Sequence, residues 1–363
     1  MQHKCQTIKN YWRCKAVNRL MLIVSMTAVL FPSACASPTV KTTALAPAKF
    51  HEAAKLKEVA VLPFDGADGM EIAAEIEGVL SAINIGDKQY FTIVDRTRLD
   101  RIISEMKLTQ SALVDPNTAA SLGKMVGAKG IYTGVITVSN ISNSYYSEDR
   151  SKCVQTQTKY DKKGRPYEGP CIKWSKYTVN CIKRIANLSV TPKLIEVETG
   201  RVVYANNISG TASSSACQDS SAPLANPFEL MQMARRSVKH KFRTDVAPYY
   251  ITFEIKLMDS TEGISSKEAE KKFEQCIDFA KNNRLDRACE LWGEARILSP
   301  NSASILYNLG ICSEMAGDLE QAYDLYKKAD RQMGRPDEKV SSALYRVSAQ
   351  IQQQKKLREE MAK

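Results

Sequence analysis

The sequence predicts an α/β domain, in which helices flank a mixed sheet, followed by an all-α domain of repeated helix pairs. Between residues 57 and 139, short runs of β-branched and aromatic residues alternate with helical patterns whose apolar residues recur every three or four positions. After residue 268, a pattern of small and aromatic residues recurs with a period of 34. Alternating strands and helices are typical of a sheet whose faces lie under helices, and a fixed period is typical of helical repeats.

The α/β pattern begins with a buried-strand run at 58–64, which Pro63 and Asp65-Gly66 end. A helix with apolar residues at 72, 76, 80 and 83 is predicted next, with Asp68 and Glu71 placed as a capping box. The remaining elements up to residue 139 are a strand at 90–94, a helix through Leu99 and Met106, a helix that Asp115-Pro116 starts, and a strand at 130–138.

After residue 186 the pattern predicts a hairpin around Gly200, a helix from Phe228 to Phe242 and a closing strand from Tyr250 to Leu257. Basic residues cluster on or near this helix: Arg235, Arg236, Lys239, Lys241 and Arg243. Either a solvated helix face or a surface that docks an anionic partner explains the cluster.

Parts of this region resemble the curli secretion lipoprotein (CsgG-like) family. The resemblance lies in Val59 to Phe64, in Phe91-Thr-Ile-Val-Asp-Arg96, in the run 122–128 before Gly134, and in Leu194-Ile-Glu-Val-Glu-Thr-Gly200. It covers residues 57–258. The resemblance implies a ring-forming outer-membrane component that supports secretion or assembly of an extracellular structure.

Residues 1–34 have the pattern of a lipoprotein signal peptide. Five basic and no acidic residues precede or flank an apolar run from Leu20 to Phe31, and Pro32-Ser-Ala-Cys35 follows. We therefore expect Cys35 to carry the lipid and residues 35–56 to form a tether; Ala36, rather than Asp, after the cysteine favours the outer membrane, facing the periplasm. An ordinary signal cleaved near Ala36, or an uncleaved anchor, is the alternative.

The net charge of the chain limits the kinds of binding partner that can be predicted. The formal net charge is +11, and it falls to +6 when the five basic leader residues are removed. A moderately basic chain suits anionic envelope surfaces. No nucleic-acid-binding motif is present, so no nucleic-acid partner is predicted.

The cysteines beyond the leader fall into two groups. Cys153, Cys171, Cys181 and Cys217 lie in or just after a polar insertion at 140–186, where export to an oxidising compartment predicts two disulfides of open connectivity. A metal site is the alternative, but neither a CxxC spacing nor a nearby histidine supports it, so none is predicted. The later cysteines, Cys276, Cys289 and Cys312, have helix-core spacing and are interpreted as small buried hydrophobes.

The insertion decides whether a pore is predicted. Its strand-like halves flank a turn at Asp161 to Pro166, where the curli-type proteins place the first of two pore-forming hairpins. Basic residues interrupt both faces: Lys152, Lys159, Lys173, Lys176, Lys183 and Arg184. The second hairpin would fall at 205–225, which reads as a serine-rich loop. We therefore expect the family fold without a complete pore.

The 34-residue period carries the prediction for the C-terminal domain, 268–356. Leu285 matches Leu319, Trp292 matches Tyr326, and two alanine pairs match, Ala288 with Ala322 and Ala295 with Ala329. Residues 268–334 thus resemble two tetratricopeptide repeats, and a third, weaker helix pair is predicted from Asp337 to Lys356. A groove near Leu306, Tyr307, Leu309 and Tyr326 is the expected site for a protein partner; a helical bundle without a ligand is the alternative.

Nothing in the sequence favours catalysis or a cofactor. After removal of the leader only His51 and His240 remain, and phosphate-loop, dinucleotide and paired-histidine motifs are absent. The predicted function is an outer-membrane lipoprotein that supports secretion or assembly through protein contacts, with a homo-oligomeric ring as one arrangement. The alternatives are a periplasmic adaptor that regulates an envelope enzyme, of the peptidoglycan-synthase-activator type, and a true secretion channel.

Overall fold

The computed structural model describes residues 38–362, so the predicted signal peptide and Cys35 lie outside the described residues. The strands are β1 (Thr39–Ala46), β2 (Glu58–Val61), β3 (Asn84–Ile85), β4 (Lys88–Gln89), β5 (Thr92–Ile93), β6 (Gly130–Tyr160), β7 (Pro166–Glu196), β8 (Val202–Ala205), β9 (Ile208–Cys217) and β10 (Tyr249–Lys256). The helices of the α/β region are α1 (His51–Lys55), α2 (Gly69–Ser81), α3 (Arg96–Glu105), α4 (Gln110–Leu113), α5 (Pro116–Val126) and α6 (Pro227–Val246). The helical region has α7 (Lys267–Lys281), α8 (Leu285–Leu298), α9 (Ala303–Met315), α10 (Leu319–Gln332) and α11 (Glu338–Met361).

The main sheet is mixed, as predicted, with the order β5-β2-β6-β7-β8 and with β9 also on β7. Its first three strands are parallel, pairing Val59 with Ile93 and with Gly130, and the later strands run antiparallel. Helices cover both faces of the sheet. Tyr132 and Leu194 pack under α2 and α6, and on the opposite face Ile131 packs with residues of α3 and α5.

Local sequence explains where the covering helices start and stop. The Asp115 carboxylate caps the first turn of α5 by accepting hydrogen bonds from the amides of residues 117 and 118, and Gly127 ends the helix at φ +79°. Asn226 and Glu229 form a capping box on α6. The capping box predicted for α2 is wrong: Asp68 has φ +62° and no capping hydrogen bond, because its carboxylate binds Arg235 on α6 instead.

The predicted tether is folded where it is described. Residues of β1 pair antiparallel with β10, from Thr39 opposite Lys256 to Ala46 opposite Tyr249. The helix α1 follows, with Ala53 and Ala54 fully buried. Residues 38–56 are therefore part of the folded unit, and their alanine-rich composition fits close packing as well as it fits a linker.

The C-terminal region is helical, as predicted. Helices α7 and α8 are joined by a three-residue turn, as are α9 and α10, and α8 and α10 begin 34 residues apart, at Leu285 and Leu319. The prediction of a third helix pair is wrong, because residues 338–361 form one continuous helix of 24 residues. The interpretation of the later cysteines is also partly wrong: Cys276 is free and buried, but Cys289 on α8 forms a disulfide with Cys312 on α9.

The far end of α11 returns to the α/β region. His51 on α1 contacts both carboxylates at this end, with its Nδ1 2.9 Å from Glu360 and its Nε2 2.8 Å from Glu359. Glu360 is fully buried and also accepts a hydrogen bond from the amide of Ala48. Tyr90 donates to the carbonyl oxygens of Ala54 and Glu360. The last helical turn thus holds the segment before β2 in place.

Candidate functional site

The most prominent feature of the α/β region is a long hairpin of β6 and β7. Each strand has 31 residues, and they pair from Gly130 opposite Glu196 to Tyr160 opposite Pro166. The turn lies at 161–165, as the sequence predicts. The Asp161 carboxylate accepts hydrogen bonds from the amides of Lys163 (2.8 Å) and Arg165 (2.9 Å), and Gly164 has φ +76°. These bonds hold the pKa of Asp161 below its ordinary value.

A third strand widens the lower part of this hairpin. β9 pairs with β7 from Ile208 opposite Val190 to Cys217 opposite Cys181. The prediction of a serine-rich loop at 205–225 is therefore wrong for residues 208–217. The small residues have a packing role, since a Cβ on Gly210 would lie 2.1 Å from the carbonyl oxygen of Ala234 on α6. We call residues 138–147, 181–190 and 208–217 the three-stranded extension.

The three-stranded extension has two open edges. From residue 138 onward β6 pairs with β7 alone, and β9 also pairs with β7 alone among residues 38–362. The two edge segments, 138–147 and 208–217, are ten residues long and contain neither a charged residue nor a proline. Folded monomers commonly guard long edges with lysine, proline or bulges. These segments lack charged and proline guards, so both edges remain competent to pair with another strand.

Beyond β9 the hairpin continues as two strands only, residues 148–180, which we call the ribbon. Its strands of 13 and 15 residues project about 45 Å at the usual rise. Its large side chains are exposed, with Tyr160 68%, Tyr167 52% and Trp174 62% accessible. A two-stranded hairpin is marginal in water by itself. The ribbon therefore depends on cross-links and on its attachment to the three-stranded extension.

Disulfides supply those cross-links. Cys153 is joined to Cys171 within the ribbon, and Cys181 to Cys217 where β9 ends. All four cysteines expected to pair do so, in one of the three connectivities open to them. The Glu148 carboxylate lies near the second disulfide, but disulfide sulfurs are not the thiolates that bind metals, so this group is not a metal site.

The basic cluster on α6 is used mainly inside the fold. Arg235 is 5% exposed and its guanidinium lies 3.2 Å from Asp68, 2.6 Å from Glu71 and 3.1 Å from Glu75 of the α2 segment. The hydrogen bond from Arg235 lowers the pKa of Glu71. Further internal contacts run from Lys239 to Glu75, from Lys241 to the Ser209 carbonyl, and from Arg243 to the carbonyls of Ala247 and Pro248. Four of the five basic residues are thereby committed to contacts within the chain.

The predicted partner groove is not a surface. Leu306, Tyr307 and Tyr326 are at most 2% exposed and belong to the core of the helical region, with Leu309 partly buried beside them. Tyr307 donates to the carbonyl of Lys256, and Tyr326 donates to Glu314 at 2.8 Å. The repeat pattern that predicted this groove reflects packing between helices inside the chain. Leu306, Tyr307 and Tyr326 cannot contact a partner unless the helical region unfolds.

Within residues 38–362, no helix is both long and apolar enough to cross a bilayer.

Comparison with known protein families finds a match over part of the α/β region. Residues 82–222 match the family described as the curli production assembly/transport component CsgG, and residues 274–358 match a domain of unknown function, DUF6340. The first match includes the whole of the ribbon and the three-stranded extension. No characterised protein with a curated description matches the sequence.

Several solved structures align with the chain. The lipoprotein GNA1162 from Neisseria meningitidis has 12% identity and a TM-score of 0.26, covering 51% of this chain and 96% of that one. The LpoB C-terminal domain from Salmonella enterica has 10% identity and a TM-score of 0.24, covering 44% and 94%. The PelC dodecamer from Paraburkholderia phytofirmans has 14% identity and a TM-score of 0.24, covering 58% and 98%. TM-scores of this size carry no argument, and the family assignment rests on the sequence match. The chain contains a CsgG-family domain at residues 82–222, followed by a helical domain whose family has no known function.

Proposed function

We propose that this protein is a cell-envelope lipoprotein that supports secretion or assembly through protein–protein contacts, and that it does so as a head-to-tail oligomer. The observation that carries the proposal is the pair of open, uncharged edges on the three-stranded extension. The CsgG family match supports the envelope setting. Attachment by a lipid on Cys35, placement at the outer membrane facing the periplasm, and the absence of enzymatic activity are parts of the same proposal.

The two edges are suited to pair with each other rather than each with itself. They lie on opposite sides of β7, so the β9 edge of one chain and the β6 edge of the next form a heterologous contact. A ten-residue edge presents about five free amide and five free carbonyl groups, because alternate residues point to each side of a strand. Repeated with a closing rotation, this contact gives a ring.

The proposal does not include perforation of a membrane by this chain. The described residues form one long hairpin, and after Cys217 the chain turns into a loop and then α6. Basic residues occupy both faces of the ribbon, for example Lys152 and Lys176, and such side chains at mid-bilayer depth cost about 2–4 kcal/mol each. An oligomer that organises partners fits these features better than a channel.

The test places like charges on each edge separately. The first variant, Ser142→Lys with Ser144→Lys, modifies the β6 edge, and the second, Ser213→Lys with Ser215→Lys, modifies the β9 edge. All four serines are exposed in the single chain, so both variants should fold. We expect the wild type to sediment as a closed oligomer and each variant alone to be monomeric. An equimolar mixture of the two should form dimers, because each variant keeps one intact edge.

Gln275→Lys with Gln332→Lys adds the same charge at exposed helical positions and should leave the oligomer unchanged. A β6-edge variant that still dimerises alone would show a β9-to-β9 contact and refute the head-to-tail arrangement. A wild type that stays monomeric, in detergent and at high concentration, would refute the oligomer and favour the adaptor that binds an envelope enzyme.

A further inference from the structure

The distal half of the ribbon carries a group of side chains that edge pairing does not use. Six basic and two acidic residues lie between 159 and 176, a net formal charge of +4. Arg165 is paired with Asp161 at 2.9 Å. The ammonium groups of four lysines in this part of the ribbon make no ion pair with the described residues: Lys159, Lys162, Lys163 and Lys173.

Large apolar side chains are interleaved with these charges. Tyr160, Tyr167, Ile172 and Trp174 are each more than half exposed, and the sheet register places Tyr167 directly opposite Lys159. The Cys153–Cys171 disulfide crosses the ribbon beside Trp174, which pairs with Cys153 in the register. Cations and aromatic rings are therefore presented together on a braced element and not on a mobile loop.

We infer that the distal ribbon binds the surface of an anionic phospholipid bilayer. The lysines match the charge of the lipid phosphates, while tyrosine and tryptophan prefer the boundary between headgroups and acyl chains, where one end of the ring is wet and the other apolar. Exposed Ile172 adds an aliphatic contact that a bilayer accepts and a hydrophilic polyanion does not. Because the charges are dense, the ribbon lies in the interface without crossing it. The inference does not rest on the oligomer: a single chain would show the same binding.

The test follows Trp174, since Trp292 is fully buried and substitution of Trp174 by Phe gives the baseline for the remaining tryptophans. The full chain is titrated with vesicles of phosphatidylcholine alone or mixed with phosphatidylglycerol. We expect a blue shift of Trp174 emission, and its quenching by brominated acyl chains, only with the anionic vesicles. Any contribution of the N-terminal segment is common to all variants and is removed by comparing them.

The charge requirement is tested by replacing Lys159, Lys162, Lys163 and Lys173 with Gln. Each neutralised charge lowers the partition coefficient about fivefold, so the fourfold variant should bind more than about 100-fold less well, and 1 M salt should weaken the wild type similarly. The matched control replaces four exposed lysines of the helical region, at 271, 281, 328 and 356, and should bind like the wild type.

Three results would overturn the inference. The first is unchanged partitioning of the fourfold variant, and the second is absence of the Trp174 shift. The third is a ribbon that binds a soluble acidic polysaccharide or polynucleotide and ignores vesicles, which would assign it to a polyanionic polymer. None of these results would affect the edge-pairing experiment, so failures of the two proposals can be told apart.

Discussion

Replacing Arg346 with Met should destabilise the helical region strongly. The Arg346 guanidinium forms two hydrogen bonds with the Glu314 carboxylate, at 2.7 and 2.8 Å, and the Glu314 side chain is only 2% exposed. Tyr326 donates a third hydrogen bond to the same carboxylate at 2.8 Å, and burial raises the pKa of this phenol. Without the guanidinium, a buried negative charge remains with only two neutral donors, Tyr326 and the more distant Gln350 amide at 3.5 Å.

The expected cost of Arg346→Met is about 3–5 kcal/mol, the range measured when one partner of a buried ion pair is removed. A double variant, Glu314→Leu with Arg346→Met, leaves no charge and loses chiefly the acceptor of Tyr326, at about 1–2 kcal/mol. The double variant should therefore be more stable than the single one. This order of stabilities is expected only if the buried unpaired charge causes the loss. If lost packing alone were the cause, the free-energy costs of the two substitutions would add and the double variant would be the less stable one.

Urea unfolding in a Trp174→Phe background, followed by tryptophan fluorescence, measures these differences, since Trp292 is fully buried in the same core as Tyr326. With a slope near 2 kcal/mol per molar urea, a loss of 3 kcal/mol lowers the midpoint by about 1.5 M. A single variant that loses less than about 1 kcal/mol, or a double variant that is less stable than Arg346→Met, would show that the buried charge of Glu314 does not depend on Arg346.

Three further outcomes follow from the sequence and the fold. Cys35→Ser should release the protein from membranes and abolish labelling by a fatty-acid probe; retained label would contradict a lipid at this cysteine. Replacing Cys289 and Cys312 with Ser opens a bridge between residues 23 apart and should cost about 3 kcal/mol in thermal unfolding under non-reducing conditions, and an unchanged transition would mean that the bridge is absent in solution. Gly310→Ala places a Cβ 2.5 Å from the buried ring of Tyr326 and should cost about 1–3 kcal/mol in urea, whereas a gain in stability would show that the ring can move.

Sequence patterns located the α/β elements because their signals are local. The buried run at 58–64, the turn at Asp161 and the Asp115 cap each depend on residues within a few positions, and the structure has them where they are predicted. The 34-residue period of the helical region is likewise evident from the sequence. Alanine and aromatic residues recur because the same inter-helix gap is filled twice, by Trp292 and by Tyr326.

The errors share a different cause, which is a distant partner. Residues 39–46 are strand only because β10 lies beside them, and 208–217 are strand because β7 and α6 offer an edge and a close surface to small residues. Composition cannot separate such strands from linkers. The charge-free edges of the candidate site could have been noticed in the sequence once strand was assumed. Whether these strands lie at an open edge depends on the order of strands in the sheet, which short-range sequence patterns cannot predict.

The contacts of β1 and α1 have a consequence for biosynthesis. β1 pairs with residues more than 200 positions later, and Ala48 hydrogen-bonds to Glu360 across 312 positions. Translation adds about 5–20 residues per second, so β1 waits roughly 10–40 s and Ala48 roughly 15–60 s before their partners exist. During that interval an exposed strand of eight residues is available to chaperones and proteases. Export that delivers the chain N-terminus first would prolong this exposure. The sequence separation of Ala48 and Glu360 therefore sets how long the N-terminal segment stays unpaired and open to proteolysis.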